Sequence, residues 1–213
     1  VSLGPMVTPP ARRRPAKLAR ETMTLDHLSG GRLVLGVGLG EPADSDFSQL
    51  GDEGDPVTRA AMLDEALEVL TGMWSGEPFS HHGGHYTVEG QPFLPPPVQR
   101  PRVPIWVAGS WPRRPAFRRA ARWDGVFPLV LGGPLGFRGP TPIELSDIAA
   151  YVAEYRRDAG PFELVASGST IEAIPDLDGY REVGATWWIE HIGAPDVPFD
   201  RWFELIRRGP PGA

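Results

Sequence analysis

Six times along the chain, a short apolar run gives way to a segment whose apolar residues recur every three or four positions. The apolar runs are 1–8, 32–40, 104–109, 126–130, 162–167 and 185–191. The helical patterns follow each in turn. Pro15 opens the first, with Leu18, Thr22, Leu25 and Leu28 on one face, and Ser29-Gly30-Gly31 ends it with a helix-stop signal. The second, from Val57 to Trp74, carries Leu63, Leu67, Leu70 and Trp74. The third covers 115–123. The fourth starts at Thr141-Pro-Ile-Glu144, a capping box, and continues through Leu145, Ile148, Val152 and Tyr155 toward Gly160. The last two cover 176–183 and 199–208. With no hairpin between the main runs, this alternation predicts a parallel sheet covered by helices. Two α/β architectures satisfy it, an open doubly wound sheet and a (β/α) barrel. A barrel needs eight units in about 250 residues. Six units in 213 residues leave a deficit of two, or roughly 60 residues. The chain reads as one domain, 1–213, with a non-periodic excursion at 76–102.

The second apolar run ends LVLGVGLGE, with glycines at 36, 38 and 40 and then Glu41. A dinucleotide fingerprint needs G-x-G-x-x-G and a helix that starts at once. Here the spacing is G-x-G-x-G, and no helical pattern begins until about Pro56. Glycines at alternate positions share one face of a strand, where a flat ligand or another backbone can come close. Glu41 then stands at the carboxyl end of the strand, where active sites of parallel α/β folds lie. The competing reading is that the glycines relieve crowding and Glu41 is a solvated loop acid.

A better anion site is Trp106-Val-Ala-Gly-Ser-Trp-Pro-Arg-Arg-Pro115, where a strand end runs closely into a proline-initiated helix. Arg113 and Arg114 would strengthen it. The competing reading is an ordinary turn with a solvated basic face, which suits Arg118, Arg119 and Arg122. At 4–10, GPMVTPP places a β-branched pair before two prolines, a weak signal for an extended turn. His81, His82 and His85 lie close together, but no carboxylate sits at ligand spacing among them. A solvated turn with Tyr86 and Val88 on a small extra strand is expected there, and no metal. His27 and His191 are isolated, so no Ser-His-Asp arrangement is arguable.

Composition closes other classes. A net charge of −6 argues against a general nucleic-acid surface. The absence of Cys excludes disulfides and thiolate catalysis. No apolar run approaches the roughly 18 residues that span a bilayer, and no signal peptide is visible. The chain begins at Val1 rather than Met, and an upstream start is expected.

Four stretches together resemble the bacterial-luciferase-like oxidoreductases, a family of flavin- or deazaflavin-dependent (β/α)₈ barrels. They are LGPMVTPPARRRPAKLARE (3–21), TLDHLSGGRLVLGVGLGE (24–41), LDEALEVLTGMWSGEPFSHHGGHYTVEG (63–90) and PVQRPRVPIWVAGSWPRRPAFRRAARWDGVFPL (97–129), and ATWWIEH fits the family's last strand. The resemblance implies a TIM-type barrel in which LGPMVT is the third strand. The chain then holds six βα units, strands three to eight, and lacks the first two.

The resemblance also implies roles. Met6-Val7 matches a place where the family has a non-prolyl cis bond behind the isoalloxazine ring, and Thr8 lies beside that ring. Gly38, Gly40 and Glu41 line its edge. Gly109, Ser110 and Trp111 hold the cofactor phosphate through backbone N–H groups. Glu41 in a Gly-x-Gly-Glu context favours coenzyme F420 over FMN, and a carboxyl beside the reacting ring, its pKa raised by burial, could act as general acid or base. The implied activity is hydride or electron transfer between F420 or FMN and a small organic substrate, in a cytoplasmic, dimeric protein, with a flavin reductase as a partner. A non-catalytic flavin-binding protein and an NAD(P)-type reductase on an open sheet are the alternatives. Specificity is expected in the loops 42–56 and 131–141.

Overall fold

The computed structural model describes residues 1–41, 43–132, 136–171, 175–192 and 197–209. They form two compact units, Val1–Val107 and Ala108–Ala213, and the boundary falls inside one strand.

In the first unit, residues 3–8 do not form a regular strand. They lie parallel beside the second run through two bridges, Leu3 to Leu33 and Thr8 to Val37. The Leu3 N–H donates to the Arg32 carbonyl (2.9 Å), Val34 N–H to Leu3 (2.8 Å) and Thr8 N–H to Gly36 (2.8 Å). Between the bridges the Met6–Val7 peptide is cis. Regular pairing starts at β1 (Leu35–Val37), whose residues pair in parallel with Ile105–Val107 of β4 (Ile105–Trp111).

Helix α1 (Pro15–Ser29) has the expected limits, and Gly30 closes it at φ 65°. Its buried face differs from the expectation. Leu18, Ala19, Thr22, Met23 and Asp26 are buried, whereas Leu25 and Leu28 are exposed. Spacings of three and four residues fit both stripes, and contact with α3 (Pro56–Trp74) decides between them. Buried Thr22 marks the seam: its hydroxyl donates to the Leu18 carbonyl (2.7 Å) and accepts from the Trp74 indole (3.2 Å). Leu63, Leu67, Leu70 and Trp74 are all buried, as their spacing predicts. Asp55 caps α3 by accepting from the Thr58 N–H. The stretch between β1 and α3 carries a single helical turn, α2 (Ala43–Asp46), and a 3₁₀ turn at Ser48–Leu50 where none was expected.

The 76–102 excursion holds a small antiparallel pair, β2 (His81–His82) and β3 (Thr87–Val88). Glu65 of α3 clips it down. Its carboxylate accepts from His81 Nε2 (3.0 Å), from the His85 N–H (2.9 Å) and from the Tyr86 N–H (2.6 Å). No local spacing could show this carboxylate, which lies 16 residues before His81.

In the second unit the end of β4 is followed by β5 (Gly125–Leu131), β7 (Glu163–Gly168) and β8 (Trp187–Glu190), in that spatial order. The β5–β7 and β7–β8 pairs are parallel. A short antiparallel piece, β6 (Phe137–Arg138), is added to β5. Helices α4 (Pro115–Ala120), α5 (Pro142–Tyr155), α6 (Leu177–Glu182) and α7 (Phe199–Arg208) alternate with these strands. The capping box is present: Thr141 accepts from the Glu144 N–H and Glu144 accepts from the Thr141 N–H. Arg138 also binds the Glu144 carboxylate (2.7 and 2.8 Å). Leu145, Ile148 and Val152 are buried below it.

These two carboxylates give the fold an acid limit. Arg138 holds Glu144 at a pKa of about 2, against an ordinary 4.5, and the Thr141 groups overcome the opposing effect of burial. Burial pushes Glu65 up, but the Tyr86, His81 and His85 donors outweigh it and the net direction is down. A carboxylate with a depressed folded pKa contributes stability above its unfolded pKa and loses it as pH falls through the folded value. Stability should therefore drop below about pH 4.5. In urea unfolding across that range, Glu144→Gln should flatten the part of the drop that extends toward the folded pKa of about 2. An unchanged slope would remove Glu144 from this role.

Candidate functional site

The candidate residues stand at strand ends, and those of each unit are described by themselves. In the first unit Thr8 is buried, and the neighbouring run grips it on both sides. Its N–H donates to the Gly36 carbonyl, and its carbonyl accepts from the Gly38 N–H (3.3 Å). The three alternate glycines separate into different functions. A Cβ on Gly36 would lie 2.2 Å from the Pro5 carbonyl oxygen and 2.7 Å from Met6 Sδ, so this glycine serves the close approach of the first segment. Gly40 has φ +78°, and a Cβ there would meet Phe47 Cζ at 2.6 Å and Pro9 Cβ at 3.0 Å. Crowding inside the protein thus accounts for two of the three. Gly38 is buried at the strand end.

Glu41 is exposed. The burial on which its expected acid–base chemistry depends is not supplied by the described residues. Of the proposed specificity loops, 42–56 and 131–141, residues 42 and 133–135 lie outside the described residues.

Behind this strand end stands a residue that motif reasoning passed over. Arg59, in the first turn of α3, is 1% exposed. Its Nη1 donates to the carbonyls of Leu39 and Gly40, both at 3.0 Å, and its guanidinium lies 4.2 Å from the Phe47 ring centroid. Arg12 approaches the same ring at 5.3 Å and forms ion pairs with Asp52 (3.3 Å) and Asp46 (3.9 Å). The two arginines fasten the segment that follows Glu41. Arg59 Nε and Nη2 are buried with no hydrogen-bond partner among the described residues. The available signal was an Arg four positions before Leu63, on the same face as Leu63, Leu67 and Leu70.

In the second unit Gly109, Ser110 and Trp111 belong to β4, which runs two residues past the expected end. A Cβ on Gly109 would lie 2.6 Å from the Ala116 Cβ, so this glycine lets α4 sit close against the strand. The Ser110 carbonyl accepts from the Arg113 N–H (2.8 Å), which closes the turn. The Trp111–Pro112 peptide is cis. Trp111 is buried and meets the Phe117 ring edge-on at 5.2 Å. Helix α4 spans six residues, begins at Pro115 and has no side-chain cap.

Elsewhere, His191 follows β8 and packs edge-on against Phe137 at 6.4 Å; burial lowers its pKa and the neighbouring Glu190 opposes the shift. Among the described residues no three His, Asp or Glu side chains converge as a metal site, and no helix is long and apolar enough to cross a membrane.

Comparison with known proteins gives this geometry a setting. An uncharacterised protein of Mycobacterium tuberculosis is 31% identical over 193 residues, 87% of this chain and 62% of its own length. A phthiodiolone/phenolphthiodiolone dimycocerosates ketoreductase of Mycobacterium kansasii is 34% identical over 138 residues, 62% of this chain and 35% of the relative. The chain thus spans less than two thirds of the curated relatives it matches. Among solved structures, an F420-dependent secondary alcohol dehydrogenase in complex with an F420–acetone adduct matches with a TM-score of 0.70 at 18% identity, over 94% of this chain and 76% of that one. The FMN-bound oxygenating constituent of 3,6-diketocamphane monooxygenase from Pseudomonas putida matches at 0.61 and 20%, over 79% and 48%. These likenesses show the fold, and they decide for the barrel type, with six of its βα units here, over the open sheet. The model of the luciferase-like monooxygenase family matches residues 1–191. The chain belongs to the luciferase-like monooxygenase family.

Proposed function

We propose that the chain serves a flavin-type oxidoreductase reaction, passing hydride or electrons between F420 or FMN and a small organic substrate. The family match over residues 1–191 carries this reading, and the solved neighbours named for F420 or FMN support it. F420 is favoured because Gly38-Leu-Gly-Glu41, which follows β1, has the Gly-x-Gly-Glu form that favours it by resemblance.

The residues present fit such a group. Buried Nε and Nη2 donors of Arg59 without partners suit a ligand rich in acceptors. In this reading Met6, Val7 and Thr8 back the ring, and Gly38, Gly40 and Glu41 border it. Gly109, Ser110 and Trp111 of the second unit take the phosphate. When bound, the cofactor supplies the hydride chemistry, and the protein orients it and excludes water. Glu41 exchanges the proton that accompanies hydride transfer. The reading requires no metal. It also carries a dimeric, cytoplasmic protein and a flavin reductase as partner, which size-exclusion chromatography and reductase-coupled assays would test.

Fluorescence titration with F420, FMN and NADPH is the direct experiment. Binding of F420 or FMN is expected, and tight binding of NADPH alone would overturn the reading. Glu41→Gln should lower turnover by about a hundredfold or more, the usual contribution of a general acid or base, while changing cofactor affinity little. Unchanged turnover removes Glu41 from its role. The exposure of Glu41 favours one second reading, a flavin-binding protein without turnover. That reading predicts cofactor binding with no hydride donor or acceptor consumed.

A further inference from the structure

In the second unit β7 and β8 run side by side to their carboxyl ends, where Ser167 pairs with Ile189 and Gly168 with Glu190. The His191 N–H extends this ladder by donating to the Gly168 carbonyl (2.6 Å). Alternation along the strands sets Ser167, Ile189 and His191 on one face and Gly168, Trp188 and Glu190 on the other. Contacts on the second face agree. A Cβ on Gly168 would lie 2.7 Å from Trp188 Cη2. The Trp188 indole donates to Glu190 (3.1 Å) and packs on Tyr180 of α6 at 5.4 Å.

The strand ends carry polar groups without partners. Ser167 is 1% exposed, and its hydroxyl has no hydrogen-bond partner among the described residues. The buried Thr170 hydroxyl has none either. The Glu190 carboxylate accepts from the Thr170 N–H (2.6 Å), which fixes Thr170 beside the end of β8. His191 is half-buried, and its ring makes no hydrogen bond or ion pair among the described residues. Beside it stands an apolar wall: Phe137 of β6, itself exposed, packs edge-on against the imidazole at 6.4 Å. Two residues on, a Cβ on Gly139 would overlap the Ser167 carbonyl oxygen and stand 3.1 Å from Ser167 Oγ. The segment from Phe137 to Gly139 thus lies across this strand end. Buried polar groups are normally partnered, so two hydroxyls and an imidazole left open together call for a ligand.

The chemistry of that ligand follows from the charges around it. Burial lowers the His191 pKa below its ordinary 6.5, against the pull of Glu190, so the ring is neutral near pH 7 and offers one donor and one acceptor. Glu190 is its neighbour in the chain. Arg138, beside Phe137, is held by the Glu144 carboxylate of α5 through two bonds. Glu163 lies at the far end of β7, where it accepts from the Trp187 indole (3.0 Å). An anionic ligand would meet Glu190 while Arg138 is already neutralised, whereas an uncharged oxygen meets no such cost.

We propose that the carboxyl end of β8 is a subsite for a small neutral alcohol or ketone, with His191 hydrogen-bonding its oxygen and Phe137 packing on its apolar body. An alcohol and its ketone differ by a hydride and a proton, so a group that binds both suits the reaction proposed above. The proposal rests on that reading only for naming this ligand the substrate; the contact itself belongs to the second unit.

The test uses the full chain without cofactor and three probes built on one six-membered ring: cyclohexanol, cyclohexanone and cyclohexanecarboxylate. The His191 ring signals in the NMR spectrum, identified by their loss in His191→Phe, are followed at about pH 7.5, above the ordinary histidine value. The alcohol and the ketone should shift them saturably, and the carboxylate should bind about tenfold more weakly or worse. His191→Phe keeps a ring against Phe137 and discards the hydrogen bond, so affinity for alcohol and ketone, read by calorimetry, should fall about tenfold. His191→Gln, neutral with a donor and an acceptor, should recover part of it. Phe137→Ala should weaken alcohol and ketone alike. Should His191→Phe fail to fold, the wild-type shifts and His191→Gln still decide. An alcohol and ketone that leave His191 unshifted, a carboxylate that binds as well as they do, or unchanged affinity in His191→Phe each overturns the proposal. Because no cofactor is present, failure of the flavin reading shows only in the F420 and FMN titrations and leaves this result standing.

Discussion

Gly36→Ala is expected to unfold the first unit, or to cost it about 3 kcal/mol or more, the upper end for overpacked core substitutions. The added methyl would sit 2.2 Å from the Pro5 carbonyl oxygen. Met6 Sδ, at 2.7 Å, belongs to a flexible side chain and could swing away. The Pro5 carbonyl cannot, because its segment is tied on both sides. Leu3 exchanges bonds with Arg32 and Val34, and Thr8 with Gly36 and Gly38. Any shift that relieves the clash breaks part of this ladder, and it also moves Met6, Val7 and Thr8. Urea unfolding of Gly36→Ala beside Gly84→Ala makes the comparison sharp. The nearest atom to a Cβ on Gly84 is Glu65 Oε2 at 3.9 Å, so that variant should stay within about 0.5 kcal/mol of wild type. Equal stability of the two variants would show that the first segment gives way more readily than its hydrogen bonds imply.

Arg59→Ala should be the second severe variant, at about 3 to 5 kcal/mol. Two effects oppose one another at this site. Removing a buried cation that lacks a full set of partners relieves a desolvation cost. Removing the side chain also frees the Leu39 and Gly40 carbonyls, takes the stack from Phe47 and leaves a cavity. Arg59→Met separates them, because it fills most of the volume and discards the charge. It should cost about half as much as Ala, by the usual share of the cavity term. In both variants the segment after Glu41 should become more accessible, since its anchor on Phe47 is lost. Amide exchange at residues 39–50 reads this directly. Protection equal to wild type would show that Arg12, with its ion pairs to Asp46 and Asp52, holds the segment by itself.

The order of the elements and several helix ends were legible because they depend on local chemistry, whereas strand limits such as Leu35–Val37 within 32–40 were not. Pro15, Gly30 and Thr141 start or stop helices through backbone groups within a few residues. The Leu63–Trp74 stripe of α3 and the full extent of α7 followed from 3.6-residue periodicity. Periodicity did not decide which stripe of α1 is buried. Leu25 and Leu28 repeat as regularly as Leu18 and Thr22, and only the position of α3 chooses between them. The glycine run was similarly ambiguous. A strand with bare alternate positions admits either a ligand or a neighbour, and the structure places Pro5 and Met6 against Gly36 and Phe47 against Gly40.

The sequence by itself determined the six alternating strand–helix units and the strand ends where chemistry can gather. Caps, turns and apolar period act over three to seven residues and are written in the chain in order. The tertiary structure decided what stands behind those ends. Arg59 reaches Leu39 and Gly40 across about twenty positions, and Tyr151 reaches Arg114 across nearly forty. Contacts of that range depend on how helices settle onto strands. No local spacing encodes them, because close packing selects one arrangement from several that the pattern allows.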